Sequence, residues 1–210
     1  MRYALGLLFL ITSSVGATTV TLDFESLDDV SFLDADAVPG SEGYVPVVEN
    51  GFVLDASTSA FNVGISTDVS GNNFLAFCGW CSEGGPNGVG AENVSIYAEN
   101  GSAFNLQSID TLTFGGNGSF FFTGQITGYI DGVAQAYAVI SSEPATLTFD
   151  ESWSNLTKIN IAWNTPYSLP DLMGTGVDNI VLQVVPVPAA VWLFGSALAG
   201  LGWMSRKQTS

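Results

Sequence analysis

Residues 119–140 read SFFFTGQITGYIDGVAQAYAVI. Two runs rich in aromatic and β-branched residues, Ser119–Tyr129 and Ala134–Ile140, lie on either side of Asp131-Gly132. A two-residue type I′ turn needs positive φ at both central positions, and Asp-Gly supplies it. The stretch therefore predicts a β-hairpin. Working outward, Thr19–Phe24 alternates with period two, and Lys158–Trp163 places Ile159, Ile161 and Trp163 on one face against Lys158, Asn160 and Ala162. Further strands are expected at Gly51–Asp55, Asn73–Phe77, Val94–Ala98, Thr111–Phe114, Ala145–Phe149 and Ile180–Val185. Turn signals such as Asn50-Gly51, Ser70-Gly71 and Asn100-Gly101 separate them. No long central stretch carries a 3.6-residue apolar stripe, so helix should be scarce. The expected fold is all-β: a β-sandwich of the jelly-roll type.

Charge narrows the function classes. The chain has 210 residues, 20 carboxylates, four basic residues and no His, a formal charge of −16. Three of the basic residues, Arg2, Arg206 and Lys207, sit at the ends, leaving Lys158 alone in the middle. Nucleic-acid binding by phosphate neutralisation is excluded, because it needs clustered Lys and Arg. Attraction of the middle to anionic lipid is disfavoured for the same reason. Without His there is no Ser-His-Asp or Cys-His catalysis and no His-ligated metal.

The ends read as processing signals rather than fold. Residues 1–17, MRYALGLLFLITSSVGA, have one Arg, an apolar run and small residues before Ala17-Thr18. That is the layout of a secretory signal peptide cut by signal peptidase after Ala17. At the other end Ala189–Met204 is uncharged, 16 residues or roughly 24 Å as a helix, and is closed by Arg206-Lys207. It reads as a transmembrane helix with its basic end in the cytoplasm. Pro186 and Pro188 fix its start. Three segments result: 1–17, an ectodomain at 18–185, and 186–210.

The stretch Val185-Pro186-Val187-Pro188-Ala189, with Trp192 and Gly195 in the apolar run and Arg206-Lys207 after it, resembles the PEP-CTERM sorting signal of Gram-negative bacteria in its Val-Pro-x-Pro-Ala variant. The resemblance covers about 22 C-terminal residues. It implies that the chain is an exosortase substrate, exported through the inner membrane, held there briefly, and then delivered to the cell surface or extracellular matrix. Polar residues Gln208-Thr209-Ser210 trail the basic pair, and the Pro motif lacks Glu.

The ectodomain carries a second resemblance. Leu22-Asp23-Phe24-Glu25, Gly43-Tyr44-Val45-Pro46, Gly128-Tyr129-Ile130-Asp131-Gly132 and Gly176-Val177-Asp178-Asn179-Ile180 occur in an order similar to that of carbohydrate-binding jelly-roll modules. The motifs are short. The resemblance implies a structural Ca2+ tying a carboxylate of the first strand, Glu25 or Asp23, to Asp178 near the last. Carboxylate and carbonyl oxygens suit such a hard cation. The alternative is that Asp23 and Glu25 lie on a solvated face and that Asp178-Asn179 makes a turn.

Cys78-Gly79-Trp80-Cys81 is read from its surroundings. The Gly-rich Ser82–Gly88 that follows excludes the helix a redox centre needs, and no further Cys or His completes a zinc site. In an exported chain the pair is expected as a short-loop disulfide, Cys78 to Cys81. Loop aromatics Trp80 and Tyr167 are the candidate sugar-stacking residues, with a place in the core as the alternative for each, whereas Trp163 belongs to the core by alternation. No motif singles out a catalytic carboxylate pair, so the chain is not expected to be an enzyme; a secreted glycan hydrolase is the least favoured alternative. The expected role is association with exopolysaccharide, the alternative a structural or adhesive protein without a sugar site.

Overall fold

A computed structural model describes residues 16–27, 46–56, 63–67, 70–77, 92–114, 123–163 and 174–185. Its strands belong to one compact unit, Thr18–Val185. They are β1 (Thr18–Leu22), β2 (Val47–Glu49), β3 (Phe52–Asp55), β4 (Val63–Thr67), β5 (Asn73–Phe77), β6 (Glu92–Ala98), β7 (Phe104–Phe114), β8 (Thr123–Ile130), β9 (Val133–Ser141), β10 (Ala145–Thr148), β11 (Lys158–Trp163) and β12 (Gly174–Val184). The only helix among the described residues is a 3-10 turn, Glu151–Trp153, capped by Asp150. No helix among them is long and apolar enough to cross a membrane.

All strand pairings among the described residues are antiparallel. One sheet runs β10-β7-β12-β5-β4, with β1 also on β12; the second runs β2-β3-β6-β11-β8-β9. The inner faces of the two sheets share one apolar cluster, so the fold is a β-sandwich. Strand β11 shows how alternation builds it: Ile159, Ile161 and Trp163 are buried while the residues between them are half-buried on the outer face. Phe52 of β3 meets Phe104 of β7 edge-on across the sheets, with ring centroids 5.3 Å apart. Trp163 is wholly buried beside Phe77, and it lies over Gly124 so closely that a Cβ there would sit 2.6 Å from the indole. Burial of each such large side chain contributes on the order of 1.5–3 kcal/mol.

Asn73–Phe77 and Lys158–Trp163 form strands at the bounds expected from their sequences. The Asp131-Gly132 turn has φ of 49° and 82°, as a type I′ turn requires. Three expectations change. Strand β7 begins at Phe104, not Thr111. Its buried positions, Phe104 and Leu106 and then Ile109 and Thr111, slip phase by one residue, which hides the alternation. The slip faces a bulge in β12, where the register jumps between Asp178 and Val181 and Asn179 has φ of 46°. Asp178-Asn179 is therefore an irregularity inside β12, which starts at Gly174 rather than Ile180, and not a turn before it. Strands β2 and β4 are additional, at three and five residues.

Candidate functional site

Two places gather polar side chains. The first is the turn that ends β1. Leu22 and Phe24 both enter the core, which an extended chain allows for alternate residues only if its path continues straight. Here Phe24 adopts φ of 59°, a left-handed conformation rare for a bulky residue, and the chain turns at once. Leu27 N–H donates to Phe24 O, closing the turn (3.0 Å).

Distant residues hold that strained turn. Glu49, the last residue of β2, accepts from Phe24 N–H at Oε1 (2.9 Å). Asn50 Nδ2 donates to Thr21 O (2.9 Å). Asn73 Nδ2 donates to Leu27 O (2.8 Å), while its N–H donates to Glu25 Oε1 (3.1 Å). Asn50 and Gly51 both have positive φ between β2 and β3, the type I′ pattern again, so Glu49 is presented by a tight hairpin.

Glu49 is 3% exposed. Burial pushes its carboxyl up to about 7; the Phe24 N–H opposes that rise and the charge of Asp23 adds to it. Asp23 also meets Glu49 directly: a hydrogen bond between the two carboxyl groups adds to the rise, and the Asp23 N–H opposes it. The Asp23 carboxylate itself accepts from Glu25 N–H (3.3 Å).

The structure divides the three expected calcium ligands. Asp23 goes with Glu49. Glu25 goes with Asp178, whose carboxyl is raised by burial, lowered by the Asn72 and Asn179 donors, and raised again by the charges of Asp110 and Glu25. Both Asp178 oxygens already accept: Oδ1 from Asn179 N–H (2.7 Å), Oδ2 from Asn72 Nδ2 (3.0 Å) and Asn179 Nδ2 (3.3 Å). That is the environment of a carboxylate satisfied by amides. Among the described residues no group of three or more acidic, His or Cys side chains is arranged to hold a metal. Glu49 was not among the expected ligands. The sequence marked its place only through Asn50-Gly51, the turn pair of the hairpin whose arm Glu49 ends.

The second place is the outer face of the β2-β3-β6-β11-β8-β9 sheet. Register puts Val48, Val53, Tyr97, Lys158 and Tyr129 along one row, and Asp55, Ser95, Asn160, Thr127 and Tyr137 along the next. A third row holds Asn93, Ala162, Gln125 and Val139. Tyr137 and Val139 are well exposed, at 62% and 66%. Tyr137 Oη donates to Gln125 Oε1 (3.2 Å), and Asn160 Nδ2 donates to Asn93 Oδ1 and Ser95 Oγ (3.3 Å each). The Lys158 ammonium lies 4.6 Å from the Tyr129 ring centroid, a cation–π contact. Burial, with Asp55 second, raises the Tyr97 hydroxyl above its ordinary value. The face is hydroxyl- and amide-rich and set with three tyrosines.

Of the remaining expected site residues, Ala17 and Thr18 are exposed where β1 begins, with Thr18 opposite Val184. Val185 N–H donates to Ala103 O just past the end of β12. Trp153 and Trp163 are both buried. Cys78, Trp80, Cys81, Tyr167, Pro186, Val187, Pro188, Ala189, Trp192, Gly195, Arg206 and Lys207 lie outside the described residues. No protein-family model matches the chain, and no curated protein is similar to it in sequence.

Proposed function

We propose that the chain is an exported, non-catalytic surface or matrix protein that binds extracellular polysaccharide along the outer face of its β2-β3-β6-β11-β8-β9 sheet. The observation that carries this reading is the face itself: Tyr97, Tyr129 and Tyr137 stand among Gln125, Thr127, Ser95, Asn93 and Asn160. Sugars offer apolar C–H faces and hydroxyl edges, which suit aromatic rings flanked by amides and hydroxyls. A sheet holds those groups without further ordering of a loop, so less entropy is lost on binding. On this reading recognition lies on strands; the expected loop residues Trp80 and Tyr167 lie outside the described residues.

The jelly-roll reading is supported by strand order. Strands β5 to β12 interleave as β5-β12-β7-β10 in one sheet and β6-β11-β8-β9 in the other, the nested arrangement of two Greek keys. Sorting by an exosortase is supported by the sequence at both ends: the apolar leader before Thr18, and the Pro motif, apolar run and basic pair after Val184. The export route is inner membrane first, then surface or matrix.

Affinity electrophoresis of the purified chain through gels containing the exopolysaccharide of the producing cells tests the binding. Retardation that is lost in a Tyr97→Ala/Tyr137→Ala double variant supports the reading. Migration unaffected by any native matrix glycan would leave a structural or adhesive role instead. Intact mass of the surface form tests the sorting: a species running from Thr18 to the Val185–Pro188 region is expected. A species that keeps Trp192–Ser210 in the inner membrane sinks the exosortase step.

A further inference from the structure

Each sheet ends in strands that have no neighbouring strand on one side among the described residues. Most are short: β2 has three residues, β10 four, and β1 and β4 five each. Strand β9 is the exception, with nine. Natural edges are ordinarily blunted by charges, Pro, a bulge or a covering segment. Residues 133–142, VAQAYAVISS, carry no charge and no Pro. The bulge of β9 faces Gly128 and Tyr129 beside the turn, so 136–141 pairs regularly with β8 and has no strand on its far side. The nearby 3-10 turn closes on itself, with Trp153 N–H donating to Asp150 O (3.1 Å) and Ser154 N–H to Glu151 O (3.2 Å). Phe149 N–H, just before it, donates to Gln107 O of β7 (2.9 Å). None of these bonds reaches β9. Side-chain exposure marks the same strand. Of the four large hydrophobic side chains exposed among the described residues, Val133, Tyr137 and Val139 stand on β9, and Val48 on β2.

We propose that β9 is a self-association edge: two copies of this chain pair β9 with β9, antiparallel about a two-fold axis, and join their β2-β3-β6-β11-β8-β9 sheets into one. Charge points to a second copy and to this strand. At −16 the copies repel one another. Lys158, the one basic side chain of Thr18–Val185, is engaged over Tyr129, so ion pairs between copies do not offset that repulsion. Copies can meet where backbone and apolar contact suffice and charge is absent, and β9 is such a place. An antiparallel pair of identical strands is self-complementary, so the contact closes at two copies. Head-to-tail growth would need the opposite edge, β2, which has three residues and ends in Glu49. Register follows from alternation. Ala136 and Ile140 are buried and Ala138 half-buried, so Tyr137 and Val139 share the outer face. Setting Ala138 against Ala138 of the second copy puts each Tyr137 opposite the other copy's Val139, a favourable aromatic–β-branched pair. Centring on Tyr137 instead would bring Asp131 opposite Glu143, like charges in register. The pairing does not depend on the polysaccharide reading: a chain that binds no glycan would still dimerise.

The test uses the full chain in mild detergent, at neutral pH and without glycan. Sedimentation equilibrium in density-matched solvent reads its mass from dilute to concentrated protein, and a concentration-dependent dimer is expected. Tyr137→Lys/Val139→Lys sets lysine against lysine at both pairs and should weaken the dimer Kd by roughly tenfold or more, although it lowers the net charge. Tyr137→Lys/Val139→Glu sets lysine against glutamate and should stay within about threefold of the wild type. Val48→Lys, on the opposite edge, should leave the dimer unchanged. The two double variants charge the same exposed positions, so their contrast reads the interface and not the fold. Amide hydrogen exchange of the wild type gives a reading free of any variant: exchange across 136–141 should slow as concentration rises, while that of β2 stays constant. A wild type that remains monomeric at every concentration overturns the proposal. So does a dimer that persists in the lysine–lysine variant, which puts the association elsewhere, or equal loss in both double variants. Slowed exchange at β2 in place of β9 overturns it as well.

Discussion

The outer face of the second sheet and the turn after β1 are built by opposite rules. The face follows from period two. Once Ile159, Ile161 and Trp163 go inward, Lys158, Asn160 and Ala162 must go outward, and the register of the flanking strands lines up Tyr97, Tyr129 and Tyr137 beside them. Each position there is determined by its neighbours along the strand. The turn follows from no local rule. Phe24 is left-handed because Glu49, Asn50 and Asn73, some 25 to 50 residues away, hold the chain around it. The face should therefore tolerate single changes while the turn should not, and substitutions in the core beneath the face give the upper limit against which both are judged.

That limit is set by Trp163. It is fully buried, packed on Gly124 and beside Phe77. Trp163→Ala removes the largest core side chain on β11 and leaves a cavity in a sheet whose backbone is held by ladders on both sides. The expected loss is about 3–5 kcal/mol, read as a lower urea midpoint at unchanged slope. A loss under about 1 kcal/mol would mean that the two sheets do not share one core.

Next in size is the turn, through Glu49. Its carboxyl is raised from 4.5 to about 7 in the folded chain. The unfolded chain thus releases its proton first, and between these two values the folded state binds more protons than the unfolded one. Stability must then fall as pH rises through that window and level off above it. With a chelator present, the fall between pH 4 and pH 8 is expected to be about 2–3 kcal/mol. In Glu49→Gln this component of the pH profile should disappear. A wild-type profile that rises over the same window would contradict the burial of this carboxyl.

How much of this was legible in the sequence follows the same division. Strands β5 and β11 were readable to the residue because alternation or an unbroken apolar run is printed in them, and so was the β8–β9 turn, since Asp131-Gly132 declares its own backbone. The first half of β7 was not. Its phase slips opposite the β12 bulge, and a bulge is a property of two strands together. Strand β2 is only three residues long, too short for a period to emerge, although Asn50-Gly51 marked its hairpin. At the turn after β1, Asp23 was recognisable as an acid next to the first strand. Glu49 was not, because what distinguishes it is a contact with Phe24 across 25 positions. The tyrosine face was missed for another reason: its members come from three strands, and only register brings them into rows.

The β8–β9 turn offers a smaller effect of purely local origin. Gly132 has φ of 82°, and a Cβ added there would meet nothing within 4 Å. Gly132→Ala should therefore cost only the left-handed backbone penalty, about 1 kcal/mol, with no packing component. A loss several times larger, measured by urea unfolding, would show that the turn is held from a distance as the β1 turn is.

The smallest stability effect is expected at Tyr137. Its side chain is 62% exposed on β9, at the edge of its sheet, and its one described hydrogen bond, to Gln125, is at the surface. Tyr137→Ala should change stability by no more than about 0.5 kcal/mol. Binding is a different matter. If a sugar ring stacks on the phenol, its loss removes about 0.5–1.5 kcal/mol of contact, or roughly a 2- to 12-fold weaker Kd in a glycan titration. A variant as stable as the wild type but weaker in binding separates what the face does from what it supports. A variant that loses stability and leaves binding untouched would make Tyr137 a packing residue of the edge strand, and recognition would have to be sought on another surface.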